Sequence, residues 1–256
     1  MRVTIVQIGF SERPWEALKE ALRGEELGEL LALPEHWFSL TRSGKSIEEY
    51  EEAVLRLHVE FNVGVLGGLN TVRDRDGELR SIGLAAIGGK VLRACEKVHP
   101  SKATGERALV RSGRLLPPLH LGRWSIGCVA CVDIFYPEIA RELVSKGANV
   151  IYNPSSITVD RTGSWLSAVR ARAEENVVYA LGVNSVGNRY PDGRVTGGAS
   201  VVFSPYGKVK ALLHNAIGAV TTSLAEEELE EALKRWAFRE DFEKHYSHFY
   251  RYSLNK

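Results

Sequence analysis

The sequence predicts a single α/β domain built around a mixed β-sheet. Short apolar runs alternate with amphipathic segments along the chain, and two pairs of apolar runs are joined by tight glycine-containing turns. Alternating strands and helices are typical of α/β folds, and hairpins add antiparallel strands to the sheet. The 256 residues contain no Pro/Gly/Ser-rich linker and no evident internal repeat, which favours one domain spanning residues 1–256.

The predicted strands are apolar runs bounded by turn residues or charged residues. Gly88-Gly89 and Pro205-Tyr206-Gly207 supply the two hairpin turns. In chain order, the predicted strands cover residues 30–35, 62–69, 82–87, 90–95, 124–131, 150–152, 177–183, 199–203 and 209–213.

The predicted helices are segments with apolar residues at helical spacing. They cover residues 15–22, a segment with Ile47, Tyr50, Val54 and Leu57 on one face, residues 139–146, and residues 164–175. Gly147 is a plausible C-cap for the third of these helices. Ser223 and Glu226 have the spacing of a capping box and predict the start of a last helix.

Composition excludes several classes of function. The formal net charge is +1, and no basic stretch is interleaved with aromatic residues, so neither nucleic-acid binding nor binding to anionic membranes is expected. No apolar run approaches the length of a membrane span. The N-terminus lacks a charged segment followed by an apolar signal core, so we expect a cytoplasmic protein.

Cysteine usage also favours a reducing compartment over a disulfide scaffold, since the chain has only 3 cysteines. Cys128 and Cys131 form a C-x-x-C pair, but a zinc site needs further ligands at matching spacing, and the chain has no second such pair. Cys128 lies inside a predicted strand, which argues against a thioredoxin-like motif. We therefore expect neither a metal nor a redox role for this pair.

Cys131 is the first candidate for chemistry. It ends an apolar strand and is followed by Pro137-Glu138, which predicts a helix start, so the pattern is strand, sharp turn, helix. Such a turn exposes a nucleophile above the sheet edge, and backbone N–H groups around it can face a developing oxyanion. Taken alone, a single cysteine is better explained as a small buried apolar residue.

Two more candidates follow other predicted strands. Glu35 ends the run Leu30-Leu31-Ala32-Leu33-Pro34-Glu35, and Lys97 follows the strand that ends at Cys95. Each charge on its own is explained by solvation at a strand end.

In the order Glu35, Lys97, Cys131, these segments resemble the catalytic segments of the carbon–nitrogen hydrolase family, the nitrilase superfamily. The resemblance covers nearly the whole chain. The matching segments are Val3-Thr4-Ile5-Val6-Gln7, Leu33-Pro34-Glu35, Lys97-Val98-His99, Cys131-Val132-Asp133 with Tyr136-Pro137-Glu138, Arg172-Ala173-Glu174-Glu175-Asn176, and Gly198-Ala199-Ser200 with Ser204-Pro205-Tyr206-Gly207.

The resemblance implies a four-layer α-β-β-α sandwich with two mixed β-sheets. It implies that Cys131 attacks the substrate to form a thioester, that Glu35 carries the proton, and that Lys97 stabilises the oxyanion, with the N–H of Val132 as a candidate second donor. Glu106 stands where the family often has a second glutamate and is a fourth candidate catalytic residue. No metal or organic cofactor is required by this chemistry.

Substrate contacts are predicted around the nucleophile and after the next strand. Phe135 and Tyr136 follow Cys131, and Val132 adjoins it. Asn153, Ser155 and Ser156 occupy a segment where related enzymes often contact substrate. An aspartate two residues after the cysteine, here Asp133, resembles the amidase-like members of the family. Val132 replaces the aromatic residue that those members tend to have directly after the cysteine, so the subgroup of the family stays open.

The leading hypothesis is an amidase-type hydrolase acting on a non-peptide C–N bond in a small linear amide or carbamoyl compound. A nitrile hydrolase and a catalytically silent binding or scaffold protein of the same fold are the alternatives. The aromatic-rich segment 242–252 and the helix 139–146 are candidate contact surfaces, and the resemblance implies pairing through such elements. We therefore expect a homodimer or a higher homo-oligomer.

Overall fold

The computed structural model describes residues 1–41 and 44–245, which form fifteen β-strands and six α-helices. The strands are β1 (Arg2–Gln7), β2 (Leu30–Ala32), β3 (Gly64–Leu66), β4 (Asn70–Arg73), β5 (Leu79–Ile87), β6 (Lys90–Glu96), β7 (Leu119–Leu121), β8 (Trp124–Cys128), β9 (Val150–Ser155), β10 (Tyr179–Asn184), β11 (Val186–Arg189), β12 (Val195–Gly197), β13 (Val201–Phe203), β14 (Val209–Leu212) and β15 (Gly218–Ser223). The helices are α1 (Pro14–Ala21), α2 (Ile47–Phe61), α3 (Pro137–Ser145), α4 (Thr162–Asn176), α5 (Glu226–Arg235) and α6 (Phe238–His245).

Two mixed sheets contain all of these strands except β11 and β12, which form a separate two-stranded antiparallel sheet. The first has the order β15-β1-β2-β3-β5-β4, with β6 paired to β5, and the second has the order β14-β13-β10-β9-β8-β7. Strands β1, β2 and β3 are mutually parallel, as are β8, β9 and β10, and antiparallel strands flank each trio. The carboxyl ends of parallel strands meet at one edge of a sheet, so residues that follow them are brought close together.

The two sheets face each other, and helices cover their outer faces. Leu18 of α1 and Tyr50 of α2 pack with Leu31 and Val65 of the first sheet. Helices α3 and α4 pack on the second sheet. Tyr152 of β9 donates a hydrogen bond to the Leu33 carbonyl of the opposite sheet. The predicted four-layer α-β-β-α sandwich is thus confirmed. None of the described helices is long and apolar enough to cross a lipid bilayer.

Most predicted elements are present, but several of their boundaries differ from the prediction, and two of these differences affect candidate site residues. Strand β8 ends at Cys128, and Cys131 begins a 3₁₀ helix, Cys131–Phe135, rather than closing the strand. Strand β9 extends to Ser155, so Asn153 and Ser155 lie within it rather than after it.

The predicted capping box at Ser223 and Glu226 is wrong. Ser223 pairs with Arg2 in the β1–β15 ladder, and α5 starts after Ala225 with no side-chain cap. Glu226 is the first residue of α5 and Ala225 is its N-cap, so Ser223 lies two residues too far upstream to cap the helix.

Cysteine usage favours a reducing compartment over a disulfide scaffold, but the structure pairs two of the 3 cysteines. Cys95 of β6 and Cys128 of β8 form a disulfide between the two sheets, and their Cα atoms are 5.5 Å apart. Face-to-face packing brings these strands together, which spacing along the chain could not reveal. Cys131 is the free cysteine. Cys128 is therefore joined to a distant strand and does not act as a pair with Cys131.

Candidate active site

Glu35 is fully buried where the two sheets meet. It lies just after β2, and its backbone N–H donates to the carbonyl of Ser155 at the end of β9, at 3.2 Å. One carboxylate oxygen, Oε1, accepts a hydrogen bond from Lys97 Nζ at 2.9 Å. The other oxygen, Oε2, has no hydrogen-bond partner among the described residues. A buried carboxylate oxygen left unpaired is costly, so it indicates a group held ready for a ligand or a proton.

Lys97 lies directly after β6 with only 1% of its surface exposed. Its ammonium group contacts two carboxylates, Glu35 Oε1 at 2.9 Å and Glu106 Oε2 at 2.7 Å. Burial alone would lower the pKa of Lys97, but the neighbouring acidic groups of Cys131, Glu106 and Glu35 raise that pKa well above its usual range. Lys97 therefore stays positively charged at neutral pH.

Glu106 begins a short 3₁₀ helix, Glu106–Ala108, and is also buried. Its Oε2 accepts hydrogen bonds from Lys97 and from the backbone N–H of Ser101, the latter at 2.8 Å. Burial opposes ionisation, but the charges of Lys97 and His36 outweigh it and hold the pKa of Glu106 below its usual range. Glu106 is thus a carboxylate that fixes the position of the lysine.

Cys131 occupies a strained turn. Its backbone has φ 46°, in the left-handed region that residues other than glycine rarely adopt. Asn153 holds this turn, since its Nδ2 donates to the carbonyls of Val129 at 2.5 Å and Cys131 at 3.1 Å. Burial raises the pKa of the Cys131 thiol well above its usual range, and the Glu35 charge raises it further, whereas Lys97 lowers it. Strain of this kind clusters at functional sites.

Asp133 joins the lysine segment to the cysteine turn. Its carboxylate accepts hydrogen bonds from the backbone N–H groups of Val98 at 2.9 Å and His99 at 3.1 Å, and it lies 2.8 Å from His99 Nδ1. The ring of His99 stacks on Tyr136 with centroids 4.1 Å apart. Asp133 and His99 therefore fix the segment after Lys97 against the turn that carries Cys131.

A cleft of about 400 Å³ opens over Cys131 and also contains Lys97 and Glu106. Of the predicted substrate-binding residues, Val132, Phe135 and Ser156 line it. Tyr136 does not line it and instead stacks on His99. The amide of Asn153 and the hydroxyl of Ser155 are buried behind the turn, where the Ser155 hydroxyl donates to Asn153 Oδ1 at 2.7 Å.

Several cleft residues were missed by the sequence analysis. They are Tyr190, whose hydroxyl donates to the Ser156 carbonyl at 2.8 Å, Arg161 and Arg194. His36, which follows Glu35 and has φ 61°, was also missed and lines the adjoining pocket. Burial raises the pKa of Tyr190, so its phenol keeps its proton. The position of His36 next to Glu35 was the one usable signal. Tyr190 and Arg194 lie in the short, mostly polar segment of β11 and β12, which has no periodicity to predict its placement.

Glu35, His36 and Glu106 place one potential metal-ligand atom each within 4.8 Å of one another. The Lys97 ammonium, however, already contacts a carboxylate oxygen of both glutamates. A cation bound by these carboxylates would compete with this fixed positive charge, so the donor set does not fit a metal ion.

Comparisons with known proteins agree with this geometry. The model of the carbon-nitrogen hydrolase family matches residues 12–232. A 2-oxoglutaramate amidase of Bacillus subtilis is 24% identical over 213 residues, which cover 78% of this chain and 80% of that protein. A deaminated glutathione amidase of Synechocystis sp. is 28% identical over 204 residues, covering 72% of this chain and 74% of that protein.

Among solved structures, a carbon-nitrogen hydrolase from Helicobacter pylori superposes with a TM-score of 0.84 at 19% identity, covering 100% of this chain and 98% of that chain. At this identity the structural likeness supports the fold alone. The family model, in contrast, covers most of the sequence. The chain belongs to the carbon–nitrogen hydrolase family and is an amidase-type hydrolase of C–N bonds.

Proposed function

We propose that this protein hydrolyses a small linear amide or carbamoyl compound through a thioester on Cys131, with Glu35, Lys97 and Glu106 as the other catalytic residues. The observation that carries the proposal is the position of the Lys97 ammonium between the buried carboxylates of Glu35 and Glu106, in the cleft that contains the free thiol. The amidase names of the sequence relatives support the same class of substrate.

The raised pKa of Cys131 makes a base necessary. At neutral pH the sulfur carries its proton, and a thiol is a much weaker nucleophile than a thiolate. Glu35 has an unpaired, buried oxygen available to accept that proton as the sulfur attacks the carbonyl carbon. The S–C bond forms while the carbonyl π electrons move to oxygen, which becomes an oxyanion.

Lys97 is suited to stabilise that oxyanion. Its positive charge is fixed in a buried site, where a preorganised charge acts more strongly than in water. The N–H of Val132, at the start of the 3₁₀ helix after Cys131, is the proposed second donor. Glu106 holds the ammonium in place. Its negative charge balances the positive charge of Lys97 once Glu35 has accepted the thiol proton.

Collapse of the tetrahedral intermediate breaks the C–N bond. Glu35 gives its proton to the departing nitrogen, so ammonia or an amine leaves and the acyl group stays on Cys131 as a thioester. Water then attacks the thioester, Glu35 accepts a proton from that water, and this proton returns to the sulfur as the carboxylic acid leaves. The cycle balances without a cofactor or a metal ion.

Intact mass spectrometry after acid quench tests this mechanism. Wild-type protein mixed with a panel of small amides should gain the mass of the amide minus ammonia, and Cys131→Ala should gain nothing. Lys97→Gln should lower kcat by about 10²-fold or more, the effect expected for loss of an oxyanion donor. An adduct on Cys131→Ala, or near-normal kcat in Lys97→Gln, would refute the assignment. Turnover of nitriles but not amides would favour the nitrile hydrolase alternative.

A further inference from the structure

The turn that carries Cys131 leaves the second sheet just after β8. The Val129 N–H still donates to the Tyr152 carbonyl of β9 at 2.9 Å, which continues the pairing of these two strands. The Ala130 carbonyl then accepts from the Asp133 N–H at 2.8 Å, inside the 3₁₀ helix. The carbonyls of Val129 and Cys131 remain, and both belong to buried residues that need a donor, because an unpaired buried carbonyl costs free energy.

The side chain of Asn153 supplies both of these hydrogen bonds. It is fully buried in β9, and its Nδ2 donates to the Val129 carbonyl at 2.5 Å and to the Cys131 carbonyl at 3.1 Å. One amide group therefore joins the two sides of the turn across a residue whose φ is 46°. A residue other than glycine keeps a left-handed backbone only where its surroundings enforce it.

The orientation of the Asn153 side chain is itself fixed from the other side. Its Oδ1 accepts hydrogen bonds from the Ser155 hydroxyl at 2.7 Å and from Trp165 Nε1 at 2.7 Å. An indole N–H can only donate, so the oxygen of the amide must face Trp165 and the nitrogen must face the turn. The side chain cannot rotate without breaking hydrogen bonds at both of its ends.

Trp165 of α4 is held in turn by close packing. It is fully buried, and Gly182 of β10 is the register partner of Asn153 on the neighbouring strand. A Cβ atom at residue 182 would lie only 2.9 Å from Cζ2 of the Trp165 ring, so the glycine leaves the space that the ring occupies. A continuous set of contacts thus runs from α4 through Asn153 to the turn that carries Cys131.

We propose that Asn153 is a positioning residue that enforces the left-handed backbone of Cys131, with Trp165 as its anchor. The conformation of Cys131 in turn decides where the sulfur lies relative to Glu35 and Lys97. This proposal rests on the proposed function, in which that sulfur attacks the substrate. Because the buried side-chain amide of Asn153 acts through the turn alone, its loss should affect the rate of the chemical step more than the binding of substrate.

Steady-state kinetics on a small amide substrate tests this role. Asn153→Ala should lower kcat by about 10²-fold, the effect of a displacement of about 1 Å at a reacting group, while KM changes by less than about threefold. Near-normal kcat, or a loss that appears in KM alone, would overturn the proposal. Trp165→Phe keeps a packed ring but removes the N–H, so its kcat should fall about fivefold, as for one lost hydrogen bond, and an unchanged kcat would refute the anchor.

Asn149→Ala is the matched control for the loss of a structural amide. Asn149 lies directly before β9, at the other end of the strand from the Cys131 turn. Its Oδ1 accepts from the Ser125 N–H at 2.8 Å, and its Nδ2 donates to the Arg123 carbonyl at 2.9 Å. The control should lower the melting temperature and leave kcat at the wild-type value. A loss of kcat as large as that of Asn153→Ala would show that the effect is not specific to the turn.

A comparison of melting temperatures tests the proposal without any turnover. Glycine adopts a left-handed backbone without the Cβ penalty, so Cys131→Gly should melt at a higher temperature than Cys131→Ala. Adding Asn153→Ala to both should reduce this difference by about half or more, since the turn is then free to relax. Trp165→Phe takes the place of Asn153→Ala if the latter does not fold.

The outcome of this cycle is distinct from that of the proposed function. A reduced difference would support the positioning role even if wild type hydrolysed none of the amides tested, which would refute the proposed function alone. A glycine variant no more stable than the alanine variant, or a difference unchanged by the second substitution, would overturn the role of Asn153.

Discussion

Cys131 keeps its proton at neutral pH, and this property distinguishes the site from those in which a histidine or helix terminus stabilises a resting thiolate. Burial is the main cause, and the nearby Glu35 charge adds to it. Both effects disfavour a second negative charge in the cluster. In the proposed mechanism, the thiol of Cys131 is therefore a weak nucleophile until a base removes its proton.

We expect this resting state to be visible in a thiolate titration at 240 nm. Cys131→Ala provides the blank, and since Cys131 is the free cysteine, the difference reports on it alone. Wild type should show no step near the usual cysteine pKa of about 8.5. Glu35→Gln removes a negative charge that raises the pKa, so its midpoint should shift to lower pH than that of wild type. A wild-type midpoint at or below about 8.5, or an upward shift in Glu35→Gln, would contradict this account.

The convergence of Glu35, Lys97 and Cys131 could be anticipated from the sequence, because each follows an apolar strand or lies at a strand-to-helix turn. Two features were beyond that argument. Arg161 follows no strand end and lies in an ordinary polar stretch, and Tyr190 belongs to a segment that reaches the cleft only through tertiary packing. Local patterns predict where strands end, but they do not predict which loops fold over those ends.

At the scale of elements, two sequence patterns of the same kind have different outcomes. Ser46 and Glu49 form a capping box at the start of α2, whereas Ser223 and Glu226 have the same spacing and do not. Ser46 precedes a helix with a strong apolar face, while Ser223 is the last residue of β15, paired with β1. A capping box is thus a local preference that sheet pairing overrides. The helix α2 itself was predictable because Ile47, Tyr50, Val54 and Leu57 are all buried against the first sheet.

The disulfide between Cys95 and Cys128 ties together the two strands that lead to Lys97 and Cys131. Lys97 follows Cys95 by two positions, and Cys131 follows Cys128 by three. A cross-link here limits the separation of the sheets next to the proposed catalytic residues. It also encloses a loop with a sequence separation of 33 residues, for which a stabilisation of about 2–4 kcal/mol is typical.

We therefore expect Cys95→Ala/Cys128→Ala to lower the melting temperature, and a phosphine reductant to lower that of wild type but not of the double variant. Alkylation in denaturant supplies the chemical check. Without reductant, wild type should label at Cys131 alone, and after reduction it should label at all 3 cysteines. Labelling of every cysteine before reduction, in protein purified without reductant, would show that the bond is not formed.

At the scale of the whole molecule, the residues of the candidate active site come together because two sheets pack face to face. Glu35 and Lys97 come from strands of the first sheet, whereas Cys131 and Ser156 follow strands of the second. Hydrogen bonds join the two sheets next to these residues. The Glu35 N–H donates to the Ser155 carbonyl, and the Val98 N–H donates to the Asp133 carboxylate. A change that separates the sheets would therefore move Glu35 and Lys97 away from Cys131.

Assembly is the remaining property of the whole molecule, and the homodimer stays a prediction. Part of the aromatic segment on which it was based, residues 246–252, lies outside the described residues, but Phe242 belongs to α6, where its ring lies 4.9 Å from the guanidinium carbon of Arg141 on α3. Trp236 and Phe238 are 39% and 45% exposed and stack on each other with centroids 5.3 Å apart. Exposed aromatic surface beside α3 is typical of a protein contact.

Light scattering at micromolar concentration should give a mass near twice the 28.4 kDa of one chain. Deleting the residues from Phe242 onward should return the mass to that of one chain if the C-terminal segment forms the contact. Trp236→Ala/Phe238→Ala tests the described part of the same surface, and it should weaken association without changing the helical content measured by circular dichroism. A monomeric mass for the full chain would refute the dimer. A dimeric mass after the deletion would instead place the contact on another surface, with the exposed side of α3 as the next to be substituted.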